Sequence, residues 1–321
     1  MNIRSSVVLG IAAAFFSLAC NGQPYPAKPV RLVAAFPAGT GVDVAARIVA
    51  LELGQRLGQQ FVVDNRPGAG GNIAAEIVAK SAADGYTLLF TNNALTINPN
   101  LYRSVPYDAA RSFEPISLAG TSAMIMVASI GLPANSVQEV IALAKATPGR
   151  INIASAGNGS PSHLGGALFK HLAGIDIVHV PYKGAPPALT DLAAGQVQLY
   201  VSGLPPALAM IKAGKAKPLA VTTAQRSAVA PEVPTFAESG LGGYDIVLWY
   251  GLLAPAGVDR AVARRLNAEV VGALKSTAGK QRFVAQGVDP TTSTQDEFAG
   301  LITSEMARWA ELVKSAGVKV E

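Results

Sequence analysis

An apolar run that stops at a proline, crosses a glycine-bearing turn and leaves as a helix constrains this chain more than any other stretch. Val30 to Phe36 is apolar except for Arg31, as expected of a strand buried on both faces of a parallel sheet. Pro37 ends it. Ala38, Gly39, Thr40, Gly41 and Val42 follow, small residues whose two glycines admit positive φ and the close approach of a ligand. Ala46, Val49, Ala50, Leu53 and Leu57 then recur at helical spacing, and Gly58 is placed to end the helix. The first N–H groups of a helix opened this way lack intrahelical partners and lie at its positive end, so the turn suits a phosphate or carboxylate. It matches neither the P-loop nor the dinucleotide fingerprint. The same residues equally serve a plain strand-to-helix connection, with Asp43 complementing the dipole of its own helix.

The motif has a counterpart. Ile151 to Ala154 reads as a strand and Ser155-Ala156-Gly157-Asn158-Gly159-Ser160 as a second glycine-bearing turn. Ser160 and Pro161 are the N-cap and first residue of a helix through Leu164, Leu168 and Leu172. Around the first turn, strands at 60–64 and 86–91 and a helix capped by Asn72 give β-α-β-α-β, hence a parallel sheet. Asn92, Asn93 and Thr96 follow the third strand at the carboxyl edge where open α/β sheets bind ligands. Pro115 and Pro133 divide the apolar stretch 113–129 into short strands. Beyond the second turn, strands at 177–180, 197–201 and 219–222 alternate with helices. A proline- and glycine-rich segment at 231–243 returns the chain to a strand at 246–253 and three amphipathic helices.

A chain of 321 residues exceeds the usual single domain, and only 15% of them are charged. The reading is an α/β protein of two lobes, each with a parallel-rich sheet flanked by helices: 25–121 with 238–321, and 122–237. Two crossings, near Thr121 and Glu238, would let the lobes rotate about few residues. The net charge of +5 is dispersed and aromatics are 6%, so no nucleic-acid surface is visible.

Arg4, the apolar run Val7 to Phe16 and the small residues before Cys20 read as a secretory signal peptide over 1–19. Cys20 is the single cysteine, which excludes an intrachain disulfide. Ser17-Leu18-Ala19-Cys20 also approximates a lipobox, which would make Cys20 a lipid anchor. His163 and His171 are eight apart on one helix, without cysteine or an acidic cluster, so no metal site is expected. Ser160 near His163 lacks the nucleophile-elbow pattern and is read as a cap, which leaves a periplasmic hydrolase as a weaker alternative.

Tyr25 to Arg31, Pro37 to Arg47, Asn65 to Gly71, Asp84 to Thr87, Pro181 to Gly184, Val233 to Phe236 and Trp249 to Gly251 together resemble the Bug family of periplasmic receptors. These are the substrate-binding components of tripartite tricarboxylate transporters. The resemblance spans the mature chain and implies a two-lobed periplasmic binding-protein fold of type II-like form. It implies a monomeric, periplasmic, non-enzymatic receptor without cofactor or metal, closing on a small carboxylate. Its partners would be integral membrane transporter subunits or a sensor kinase. With the residue reading, the candidate ligand-binding set is Ala38, Gly39, Thr40, Gly41, Asp43, Asn92, Asn93, Ser155, Gly157, Asn158, Ser160, His163, Tyr182, Lys183 and Gly203. The family usually has a glycine pair where Gly39-Thr40 stands, so Thr40 would either strain the turn or add a hydroxyl. Lys183 is the one nearby cation expected, and recognition is expected to rest on main-chain dipoles.

Overall fold

The computed structural model describes residues 25–227 and 229–315; the signal peptide expected over 1–19 and Cys20 lie outside them. In the first lobe β1 (Val30–Ala34) lies between β2 (Phe61–Asn65) and β3 (Thr87–Asn92), all parallel. α1 (Gly41–Leu57) and α2 (Asn72–Ala79) connect them. Asn72 does not cap α2 as expected; it is the first helical residue, and its side chain accepts hydrogen bonds from Asn98 and Tyr107. α3 (Ala94–Leu101) occupies the stretch read as a loop after β3.

A single strand, β4 (Phe113–Ser129), replaces the short strands expected around Pro115. Register shifts after Pro115 and after Leu118 absorb the proline and let the ladder continue, as bulges do. α4 (Val137–Ala146) follows, then the second lobe's parallel set: β5 (Asn152–Ser155) between β6 (Val178–Pro181) and β7 (Leu199–Gly203). α5 (Pro161–Ala173) and α6 (Ala185–Ala193) link these, and α7 (Leu204–Lys212) leads to β8 (Ala216–Val221). β9 (Val247–Pro255) returns to the first lobe, followed by α8 (Arg260–Lys275), α9 (Thr277–Ala285) and α10 (Gln295–Ser315).

The lobes share one continuous sheet, ordered β2-β1-β3-β9-β4-β7-β5-β6 with β8 also on β4. β4 pairs antiparallel with β9 up to Ala123, and from Met124 with β7 and β8. β4 therefore changes partner at 123–124. The return crossing differs. Thr222 N–H bonds Met124 O, and Ile246 N–H bonds Thr222 O. Phe236 stacks on Tyr244, 3.8 Å between ring centroids, and Tyr244 donates to Gly165 O in α5. Residues 238–246, assigned by sequence to the first lobe, thus pack on the second. Their apolar side chains cover α5, a partner that no local pattern identifies. Among the described residues no helix is long and apolar enough to cross a membrane.

Candidate functional site

Both glycine-bearing turns open helices that face one cleft, and they are built alike. Thr40 is the N-cap of α1, with φ −83° and ψ 163°, ordinary extended backbone. Its hydroxyl donates to Pro37 O at 2.7 Å and accepts from Asp43 N–H at 3.4 Å. Ser160, capping α5, donates to Gly157 O at 2.7 Å and accepts from His163 N–H at 3.3 Å. The residue before each cap donates its amide to the side chain four positions on: Gly39 to Asp43 Oδ2, Gly159 to His163 Nδ1. Thr40 therefore introduces no strain, and its hydroxyl holds the turn together. Of the two glycines in the first turn, Gly39 has φ +80°, whereas Gly41 is the first residue of α1 and does not have positive φ.

This cap construction decides which amides remain for a ligand. Gly39 and Gly159 N–H are occupied, and Thr40 and Ser160 N–H bond Pro37 O and Gly157 O. Among the described residues, the amides of Gly41, Val42 and Ser162 have no acceptor, and all three residues line the cavity. Tyr250 adds a fourth donor. It is 2% exposed, and its hydroxyl has no partner among the described residues. That hydroxyl lies so close over Gly41 that a Cβ there would overlap it. Burial raises the Tyr250 phenol well above its ordinary pKa, so it stays protonated and donates. Tyr200, fully buried, also lines the cavity.

Of the sequence-based candidates, Gly39, Thr40, Gly41, Asn92, Ser160 and Gly203 lie in the cavity wall. The others do not. Asp43 faces away from it: Gly39 N–H, Asn65 Nδ2 and Arg47 bind its carboxylate. Burial acts to raise its pKa, but these bonds outweigh it and hold the group below the usual carboxylate range. Asn93 is fully buried, donating to Glu305 and accepting from Trp249 N–H. Ser155 bonds His179 Nε2 at 2.6 Å behind the turn, and Gly157 N–H bonds the Ser155 hydroxyl. Asn158 O accepts from Tyr102 across the lobes at 3.1 Å. Tyr182 donates to Asp191, and Ala38 and Lys183 are exposed outside the wall. The cation in the wall is instead Lys215.

Sequence reading missed Tyr250, Tyr200, Ser162, Met124 and Leu248 as wall residues. Period-two alternation on β9 was the available signal: Leu248 and Tyr250 face the cleft, whereas Trp249 points to Glu305. Nothing local says which face is which. Ser160, the hydroxyl a hydrolase reading would need, is engaged by Gly157 O and Ser162.

His163 and His179 form a stacked pair beneath the second turn, with centroids 4.1 Å apart. Burial, and for His163 also the neighbouring imidazole, lowers their pKa values from 6.5 to about 3 and about 4. The unfolded chain therefore binds more protons below pH 6.5, and stability falls as pH drops from 6.5 toward 4. For His163, 7% exposed, this amounts to about 2–3 kcal/mol at pH 4.5. Urea midpoints at pH 7.5 and 4.5 are expected to converge in His163→Asn relative to the parent. An equal fall in both proteins would refute the assignment.

The sequence profile described as "Tripartite tricarboxylate transporter family receptor" matches residues 45–318. Protein BugT of Bordetella pertussis is 37% identical over 322 residues, covering 99% of each chain. A solved R. palustris protein with adipate has a TM-score of 0.89 at 36% identity, covering 92% of this chain and 99% of that one. MatC from Rhodopseudomonas palustris with bound malate has a TM-score of 0.86 at 30% identity, covering 90% of this chain and all of the other, 100%.

Proposed function

The chain belongs to the tripartite tricarboxylate transporter receptor family, and on that premise we propose that it is a periplasmic receptor that captures a small carboxylate between its lobes for membrane transporter subunits. The observation that carries the reading is the convergence of four unpaired donors on one cavity wall: the amides of Gly41, Val42 and Ser162, and the Tyr250 hydroxyl. They come from both lobes. A carboxylate there interacts with the positive ends of α1 and α5 at about 0.3–1 kcal/mol each, more where water is excluded, in addition to charge-assisted hydrogen bonds. Adipate and malate in the structural neighbours support the same ligand chemistry.

Ligand closure is part of the proposal, and the seam between the lobes supports it. An added Cβ at Gly70 would come within 2.6 Å of Asn158 O, and one at Gly287 within 2.8 Å of Pro205 Cγ. The absent side chains at these glycines let the second turn and the start of α7 approach the first lobe. The anion is then sealed from bulk water, where its hydrogen bonds strengthen.

Native mass spectrometry of freshly purified protein is expected to release an organic acid, and calorimetry with that acid and its primary amide tests the charge requirement. The amide should bind at least about 100-fold more weakly, corresponding to ~3 kcal/mol. Lys183→Ala should change the acid's affinity by less than about threefold, because an exposed side chain off the wall contributes little. Equal affinity for acid and amide would sink the proposal.

A further inference from the structure

The cleft wall is mostly apolar, with polar side chains at Asn92, Thr190, Lys215 and Gln286 besides those at the starts of α1 and α5. The free donors gather where α1 and α5 begin. Away from them, Met124, Leu189, Met210, Leu248 and Val288 supply aliphatic surface from both lobes. The cavity measures about 660 Å³, within the range that encloses drug-sized ligands. At ~30 Å³ per water molecule that is roughly twenty waters. A four-carbon acid occupies a minor part of it and leaves the aliphatic wall facing water, which forgoes the hydrophobic gain of covering that wall.

Charge placement points the same way. Lys215 is the charged side chain of the wall, and it is exposed. A second carboxylate carried in among Met124, Leu248 and Val288 would be buried away from any cation of the wall, an arrangement that is costly for a charge. A further acid group on the ligand would meet a cation of the wall only beside Lys215. The two methionines supply flexible, polarizable surface that conforms to either a chain or a ring.

We propose that the ligand is an acid with a single buried carboxylate and an apolar body, aromatic or medium-chain. The carboxylate sits at the N-termini of α1 and α5, and the body lies along Met124, Met210, Leu248 and Val288. The inference rests on the carboxylate-receptor reading above and specifies its substrate class.

Calorimetry with butanoate, hexanoate, octanoate, 4-methylbenzoate, L-malate and octanamide tests it. Each two-carbon extension is expected to tighten binding by roughly tenfold, at about 0.8 kcal/mol per buried methylene. 4-Methylbenzoate and octanoate should each exceed malate by at least about tenfold, and Met210→Gln should erase part of the octanoate gain while changing butanoate less. Malate binding as tightly as octanoate, or affinity independent of chain length, overturns the apolar-body inference and leaves the carboxylate receptor standing. Octanamide binding as tightly as octanoate refutes the carboxylate reading instead. Binding of malate alone overturns only the inference; binding of none of the acids overturns both.

Discussion

Gly41→Val is expected to abolish ligand binding. Gly41 is the first residue of α1 and has ordinary helical backbone, so the conflict does not arise from φ. It arises because the Tyr250 hydroxyl lies directly over the Cα, with its Cζ 3.2 Å from where a Cβ would stand. Tyr250 is 2% exposed and anchored within β9, so any shift of its ring is into the ligand cavity it lines. A valine there forces the ring or the helix start to move, and its methyl groups cover the amides proposed to hold the carboxylate. The loss should exceed about 100-fold in affinity, or ~3 kcal/mol. Gly41→Ala should fall between, and Tyr250→Phe in the Gly41→Ala background should raise the melting temperature by removing the overlapping oxygen, while affinity stays below the parent's because a ligand donor is lost. Calorimetry with the co-purified acid, read beside circular-dichroism melts, checks the series. Binding by Gly41→Val within about threefold of the parent would place the ligand elsewhere.

The largest stability effect is expected behind the cleft wall, at Glu305. This carboxylate, on a residue 8% exposed, accepts hydrogen bonds from Asn93 Nδ2, Thr96 Oγ1, Trp249 Nε1 and Trp309 Nε1, at 2.8 to 3.2 Å. No lysine or arginine pairs with it among the described residues. Four neutral donors therefore solvate the group and tie α10 to the end of β3, to α3 and to β9. Glu305→Leu leaves those donors buried and unpaired. At about 1–3 kcal/mol for each unsatisfied group, reduced by relaxation, the loss should be roughly 4 kcal/mol. For a chain of this size that corresponds to a melting temperature lower by about 10 °C. Glu305→Gln keeps one acceptor oxygen and should lose about half as much. A Glu305→Leu protein melting within about 2 °C of the parent would show that the network contributes little.

These two sites separate what local patterns reveal from what they hide. The strand-turn-helix units at 30–57 and 151–174 were legible because each is written in neighbouring residues: an apolar run, small residues, a capping hydroxyl and helical periodicity. Thr40 and Ser160 fall at those caps. The cavity has a different origin. Gly41 and Tyr250 are brought together by the antiparallel pairing of β9 with β3, in which Asn92 lies opposite Tyr250. An apolar run carries no record of its direction or neighbour, so β4 and β9 were readable as strands but not as the antiparallel spine shared by both lobes.

The same reason explains the misplaced candidates. Asp43, Asn93 and His163 are polar residues next to a predicted turn, and polarity there suggests ligand contact. Each in fact satisfies protein groups: the Gly39 amide, Glu305 and the Gly159 amide. Whether a buried polar side chain faces a ligand or the protein depends on which partners the tertiary fold supplies. By itself the sequence determined the α/β class, the two anion-suited helix starts and, through dispersed motifs, the family. Contacts between residues distant in the chain decided which amides stayed unpaired, where the return crossing lies and that an apolar wall faces the cradle, because hydrogen-bond satisfaction and burial belong to the assembled fold rather than to any segment.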